Sequence, residues 1–219
     1  LADLHRHLDG SLREATLREL AAALGGDVPA QFRFSRGMGL AAALRCFELS
    51  LAVLQTPAAV RRVADEICAD AAREGVTTLE IRFAPQLHEG ASPAAIVDAA
   101  AEGVAGRAGL ILCGLFGEDP SVLEALVGVA RSCSAVVGID LAGGPTPAHR
   151  HRLRDYAHPF SLARELGLGR TVHAGEGRPP SEIREAVELL HAQRIGHGTT
   201  LLDDPAVLEL VRERGATIE

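Results

Sequence analysis

The sequence of 219 residues predicts an α/β fold of the (β/α)8 TIM-barrel type, with about seven of the strands present in this chain. Three observations predict it. Short β-like apolar runs alternate with longer helical ones from end to end. Strands such as Ala135-Val136-Val137-Gly138-Ile139 are almost continuously apolar, as strands of a parallel sheet covered by helices are. Finally, His5 and His7, Glu80 and Arg82, Asp140, His173 and Glu176, and His197 fall within or just after strands, mostly at their carboxyl ends. In a barrel those ends converge on one mouth, whereas a doubly wound open sheet shares only its switch point, so polar groups on four or more strands favour the barrel.

The strands are expected at Leu1–Leu8, Val76–Ala84, Leu110–Phe116, Ala135–Ala142, Thr171–Ala174, Arg194–His197 and Ala216–Glu219. The helices are expected at Leu12–Leu24, Leu40–Leu54, Ala58–Glu74, Pro93–Arg107, Ser121–Ser132, Ala148–Glu165, Pro180–His191 and Pro205–Arg214. Ser92-Pro93 and Asp204-Pro205 are helix starts, because a short polar side chain caps free N–H groups and proline suits the first helical position. Gly75, Gly167 and Gly215 stop three of the helices. The stretch Leu24–Gly39 reads as a loop excursion, and the chain reads as a single domain over residues 1–219.

Composition narrows the partners. With 29 acidic against 22 basic residues and a formal charge of -7, the chain has no basic run to neutralise a nucleic-acid backbone. The cluster Arg150, His151, Arg152 and Arg154 lacks interleaved aromatics and reads as a solvated helix start. No apolar run reaches the roughly 20 residues needed to span a bilayer, and no signal peptide is visible, which predicts a cytoplasmic protein without a membrane partner. Cys46, Cys68, Cys113 and Cys133 lie far apart and fit reduced thiols better than a disulfide framework or a thiolate metal site.

Three short motifs carry chemistry. His5 and His7, two apart on a strand, point to one face while Arg6 points to the other, a geometry that suits chelation of zinc or another borderline metal. Alone, the pair also fits surface or hydrogen-bonded histidines. In His173-Ala174-Gly175-Glu176 an apolar strand delivers a histidine, and the glycine permits a turn that swings Glu176 back over the mouth; a solvent-facing turn glutamate is the alternative. Arg194-Ile195-Gly196-His197-Gly198 ends a short strand in a histidine between glycines, approachable by ligand or backbone, or else a loop histidine.

Together with Asp3-Leu4-His5-Arg6-His7-Leu8-Asp9-Gly10-Ser11-Leu12 and Asp140-Leu141-Ala142-Gly143, these motifs resemble those of the adenosine deaminase family, in order and at fitting spacings. Gly75–Pro85 is similar to the family's second-strand segment. The resemblance implies a metal-dependent hydrolase barrel in which His5, His7 and His173 hold one Zn2+ per chain. It further implies that water attacks C6 of a 6-aminopurine nucleoside, that Glu176 protonates N1, and that His197 orients or deprotonates the water. Asp9 matches the position that holds the ribose 5′-hydroxyl, and Gly143 the one whose N–H meets purine N3. Ammonia leaves and the inosine-type product remains.

Departures from the family pattern set further expectations. The family's fourth metal ligand comes from an Asp-Asp pair after the eighth strand, so the chain is expected to be C-terminally incomplete, with that aspartate missing. Asp203-Asp204-Pro205 reads as a helix cap rather than a substitute. Gly144-Pro145 stands where the family carries acidic residues. The Leu40–Leu54 helix keeps Phe47 but is otherwise alanine-rich, which predicts a roomier pocket.

Overall fold

Four helices begin with the same local chemistry, a capping oxygen followed by proline at the first helical position. Thr56 Oγ1 accepts from the Ala59 N–H at 3.2 Å, Ser92 Oγ from Ala95 at 3.3 Å, Asp119 Oδ1 from Ser121 at 3.0 Å, and Asp204 Oδ1 from Ala206 at 2.9 Å. Each cap satisfies a donor that the first turn leaves open, and the proline removes another. Asp204 is therefore the cap that the sequence indicates. These starts belong to a computed structural model, which describes residues 1–29, 32, 33, 35, 37–144, 146 and 148–219.

The chain forms two compact units, Leu1–Gly109 and Leu110–Glu219. The first contains strand β1 (Ala2–His7), helices α1 (Glu14–Ala23), α2 (Leu40–Val53) and α3 (Pro57–Arg73), strand β2 (Thr78–Phe83) and helix α4 (Pro93–Val104). β1 and β2 pair in parallel, with a register shift between Asp3 and Arg6. Such an irregularity re-aims the side chains beside it. The fully buried guanidinium of Arg82 on β2 donates to the Leu4 carbonyl inside the shifted stretch, satisfying a backbone group where the ladder is irregular. α3 packs on α4 so closely that a Cβ on Gly103 would lie 2.4 Å from the Arg61 carbonyl oxygen.

The second unit runs β3 (Gly109–Leu115), α5 (Pro120–Ser132), β4 (Val136–Ala142), α6 (Ala157–Glu165), β5 (Gly169–Ala174), α7 (Ser181–Leu189), β6 (Arg194–His197), α8 (Pro205–Arg214) and β7 (Thr217–Ile218). Its strands pair in sequence order, all parallel, through β3, β4, β5, β6 and β7. Leu110, Leu112, Ile139, Leu141, Val172 and Ile195 are fully buried, which is the aliphatic core expected of near-continuous apolar strands.

All seven predicted strands are present, each end within two residues of its expected place. The helices differ more. The expected Ala148–Glu165 helix begins only at Ala157, after a 3-10 turn at Leu153–Tyr156. Asp155 draws its carboxylate back to the Arg152 N–H at 2.7 Å, and Pro159 lies in the first turn of α6, where its missing N–H does no harm. The expected Pro93–Arg107 helix stops at Val104, because Ala105 and Gly106 both turn left-handed. Among the described residues, no helix is long and apolar enough to cross a membrane, and all four cysteines are free thiols.

Candidate active site

In the first unit the register shift falls where β1 carries His5, and the His5 and His7 rings lie 5.3 Å apart, tilted by 48°. Phe47 of α2 sets its ring edge against His7 at 5.5 Å. Gly10 makes room for it, since a Cβ there would lie 2.8 Å from Phe47 Cε1. Asp9, Gly10, Leu12 and Phe47 line a cavity of about 260 Å³. Asp9 Oδ1 is shielded from solvent and has no hydrogen-bond partner among the described residues, and burial pushes the Asp9 carboxyl up to about 6, only partly opposed by the N–H groups of Asp9 and Gly10. A buried acceptor without a donor is able to take a hydrogen bond from a ligand.

In the second unit the fully buried Asp140 on β4 lies beside His173 on β5, with Oδ2 3.0 Å and Oδ1 3.2 Å from Nδ1. The thiol of Cys113 on β3 donates to the same carboxylate at 3.7 Å. This carboxylate holds the ring orientation and makes Nδ1 the protonated nitrogen, so a metal would bind through Nε2. His197 on β6 places its ring 5.1 Å from that of His173. Its own backbone is left-handed, with φ of 71°, an uncommon conformation for a residue with a Cβ and typical of functional positions.

The turn after β5 returns Glu176 to these histidines. Gly175 has φ of 67°, its carbonyl accepts from Thr199 Oγ1 at 2.7 Å, and Thr199 Oγ1 accepts from the Gly177 N–H at 3.0 Å. Glu176 Oε2 then lies 3.8 Å from both His197 Nε2 and a terminal nitrogen of Arg178. Arg178 is anchored by Glu182 at 2.7 Å and by the His173 carbonyl at 3.2 Å. Gly143, beyond β4, has φ of 73° and open space where a Cβ would point, leaving its backbone approachable. At Gly144 a Cβ would lie 2.6 Å from Arg178, so the glycine makes room for the guanidinium. Pro145, the other half of that departure, lies outside the described residues.

A profile of the adenosine deaminase family matches residues 1–219, the whole chain. The chain belongs to the adenosine deaminase family. It is 35% identical to an adenosine deaminase of Clostridium perfringens over 99% of this chain and 70% of that protein. It is 33% identical to a probable adenosine deaminase of Dictyostelium discoideum, of which it spans 30% of the length. Among solved structures, an adenine deaminase from Arthrobacter aurescens superposes with a TM-score of 0.86 at 27% identity, over 100% of this chain and 70% of that one. An amidohydrolase with bound Zn from Burkholderia ambifaria gives 0.85 at 27% identity, over 99% and 64%. The N6-methyl-AMP deaminase of Arabidopsis thaliana gives 0.83 at 26% identity, over 99% and 69%. The fold class is accordingly the (β/α)8 barrel type, with seven parallel strands among the described residues.

Within this adenosine deaminase relative, sequence reasoning assigned no role to Asp140, Cys113 or Arg178. A lone aspartate inside the apolar run Val136–Ala142 was the available signal for Asp140, since a buried carboxylate requires a partner. For Cys113 and Arg178 no sequence signal separated them from ordinary core and surface residues.

Proposed function

We propose that the protein to which this chain belongs is a metal-dependent hydrolytic deaminase of 6-aminopurine nucleosides, releasing ammonia and leaving the inosine-type product. The observation that carries this is the second unit's cluster, in which His173 is held by a buried carboxylate while Glu176 and His197 face each other at 3.8 Å. A strand-borne histidine oriented by an aspartate suits metal ligation, and a carboxyl and an imidazole side by side suit proton transfer.

We propose His5, His7 and His173 as the residues that would hold one Zn2+, a metal that imidazole donors suit. His5 and His7 offer neighbouring imidazoles on β1, and His173 offers a third with its tautomer fixed by Asp140. When bound, zinc would supply Lewis acidity, which lowers the pKa of water toward about 7. The remaining tasks fall to the chain's own groups. Glu176 delivers a proton to purine N1, making C6 electrophilic, and His197 orients the attacking water and takes its proton. The Gly143 N–H donates to purine N3, and the unpartnered Oδ1 of Asp9 accepts from the 5′-hydroxyl of the ribose.

Full-length, zinc-loaded protein should release ammonia from adenosine or deoxyadenosine and lose that activity on chelation. Glu176→Gln should bind nucleoside yet turn over about 100-fold to 10,000-fold more slowly. No ammonia from adenosine, deoxyadenosine or adenine, together with no methylamine from N6-methyl-AMP, would sink the proposal.

A further inference from the structure

The deamination scheme leaves Arg178 without a task, although its guanidinium is held from three sides. Nε donates to Glu182 Oε2 of α7 at 2.7 Å, Nη2 donates to the His173 carbonyl at 3.2 Å, and the Phe116 ring lies under the guanidinium carbon, its centre 5.8 Å away. These contacts fix the third nitrogen. Nη1 is shielded from solvent and has no hydrogen-bond partner among the described residues. Glu176 Oε2, at 3.8 Å, lies outside hydrogen-bond reach. A desolvated N–H group held in place without an acceptor is costly, so its retention calls for a ligand that completes it.

Nη1 lies beside two segments that already have tasks. One is Glu176. The other is Gly144, where a Cβ would meet Nη1 at 2.6 Å, and Gly144 directly follows Gly143. An acidic side chain at Gly144 would occupy this donor, whereas glycine leaves it open. In a purine ring C2 is the atom between N1 and N3. A purine whose N1 meets Glu176 and whose N3 meets the Gly143 N–H therefore turns its C2 toward Nη1.

We infer that Arg178 reads the C2 substituent of the purine and that the preferred substrates are 2-oxo-6-aminopurine nucleosides. The inference rests on the deamination proposal for the placement of the ring. A C2 oxygen accepts from Nη1 in a charge-assisted hydrogen bond. Hydrogen at C2 leaves the donor orphaned, and an amino group there sets N–H against N–H. The reaction is the same displacement: water supplies the new oxygen at C6 and the C6–N bond breaks. Ammonia carries off the amino nitrogen with its two protons and one from water, and the other water proton stays on a ring nitrogen. The product is the 2,6-dioxopurine nucleoside.

The test uses full-length, zinc-loaded protein and three nucleosides that differ only at C2: adenosine, isoguanosine (2-oxo) and 2,6-diaminopurine riboside (2-amino). Ammonia release should give isoguanosine a kcat/KM at least about tenfold above adenosine, and the 2-amino compound one about tenfold or more below. Arg178→Met keeps a long side chain over Phe116 but has no donor. It should lower the 2-oxo to adenosine ratio about tenfold and raise the 2-amino to adenosine ratio, opposite movements that poor folding cannot mimic. Isoguanosine no better than adenosine, or ratios unchanged in Arg178→Met, would overturn the inference while leaving deamination standing. If no nucleoside turns over, calorimetry on the same two proteins decides. Isoguanosine bound about tenfold more tightly than adenosine, with that margin lost in Arg178→Met, sinks deamination and keeps the C2 contact; equal binding sinks the contact as well.

Discussion

Asp140 and His173, on neighbouring strands β4 and β5, form a carboxylate-imidazole pair at 3.0 Å that is almost completely closed to solvent. Desolvation of both groups strengthens their attraction and makes the geometry costly to abandon. Asp140→Asn keeps the shape but removes the charge, and an amide can present an N–H to Nδ1, favouring the wrong tautomer. Zinc affinity, measured by competition with a chelator, should fall about 10-fold to 100-fold. Unchanged affinity would show that the pair serves only the core.

Gly103 sets two physical effects in opposition. Alanine is favoured over glycine by about 1 kcal/mol in a helix interior on propensity alone, and by less at Gly103, one residue before the end of α4. Here the new Cβ would meet the Arg61 carbonyl oxygen at 2.4 Å and the Ala64 Cβ at 2.8 Å, both on α3. Backbone oxygen cannot rotate away, so α3 and α4 must separate. Gly103→Ala should therefore destabilise the protein by about 1–3 kcal/mol, read from the denaturant midpoint. A stabilised variant would mean that the crossing is looser than these distances.

Strands such as Val136–Ala142 were legible because their apolar runs are long, rich in β-branched residues and followed by glycine, whereas the short Arg194–His197 was legible from Ile195 and the glycines on either side of His197. Caps such as Asp204 were legible because one side chain and its next three residues decide them. The start of α6 was not, since it depends on Asp155 turning back to Arg152 rather than on hydrophobic period. The histidines announced themselves by their position at strand ends. The Cys113, Asp140 and His173 chain did not, because it joins three strands whose register no single stretch of sequence contains.

His88 gives a pH dependence with a definite sign. Burial lowers its pKa below the ordinary 6.5, with the Leu54 carbonyl only partly opposing, and its ring packs edge-on to Phe83 at 5.9 Å. Between the ordinary value and the depressed one, the unfolded chain binds a proton that the folded chain refuses. The stabilising contribution is therefore whole above about pH 6.5 and declines as the pH falls below it. His88→Gln, which keeps an N–H for Leu54 but cannot titrate, should flatten this acid limb of the stability curve. Identical acid limbs in the two proteins would rule out His88 as the source.

Asp9 gives the opposite sign. Its carboxyl rises from 3.8 to about 6 because burial disfavours the charge, so the folded chain retains a proton that the unfolded chain releases. The resulting destabilisation is absent below the ordinary carboxylate range, grows as the pH rises through it, and is complete above about 6. Asp9→Asn removes the buried charge and should raise stability by about 1–3 kcal/mol near pH 8, with a smaller gain near pH 5. The same substitution alters the acceptor proposed to take the nucleoside 5′-hydroxyl, so KM for adenosine should rise while the midpoint of unfolding improves. Stabilisation together with lost affinity would identify Asp9 as a group kept for binding against the interest of the fold. A variant less stable than the parent at both pH values would instead assign it to the architecture of the β1 end.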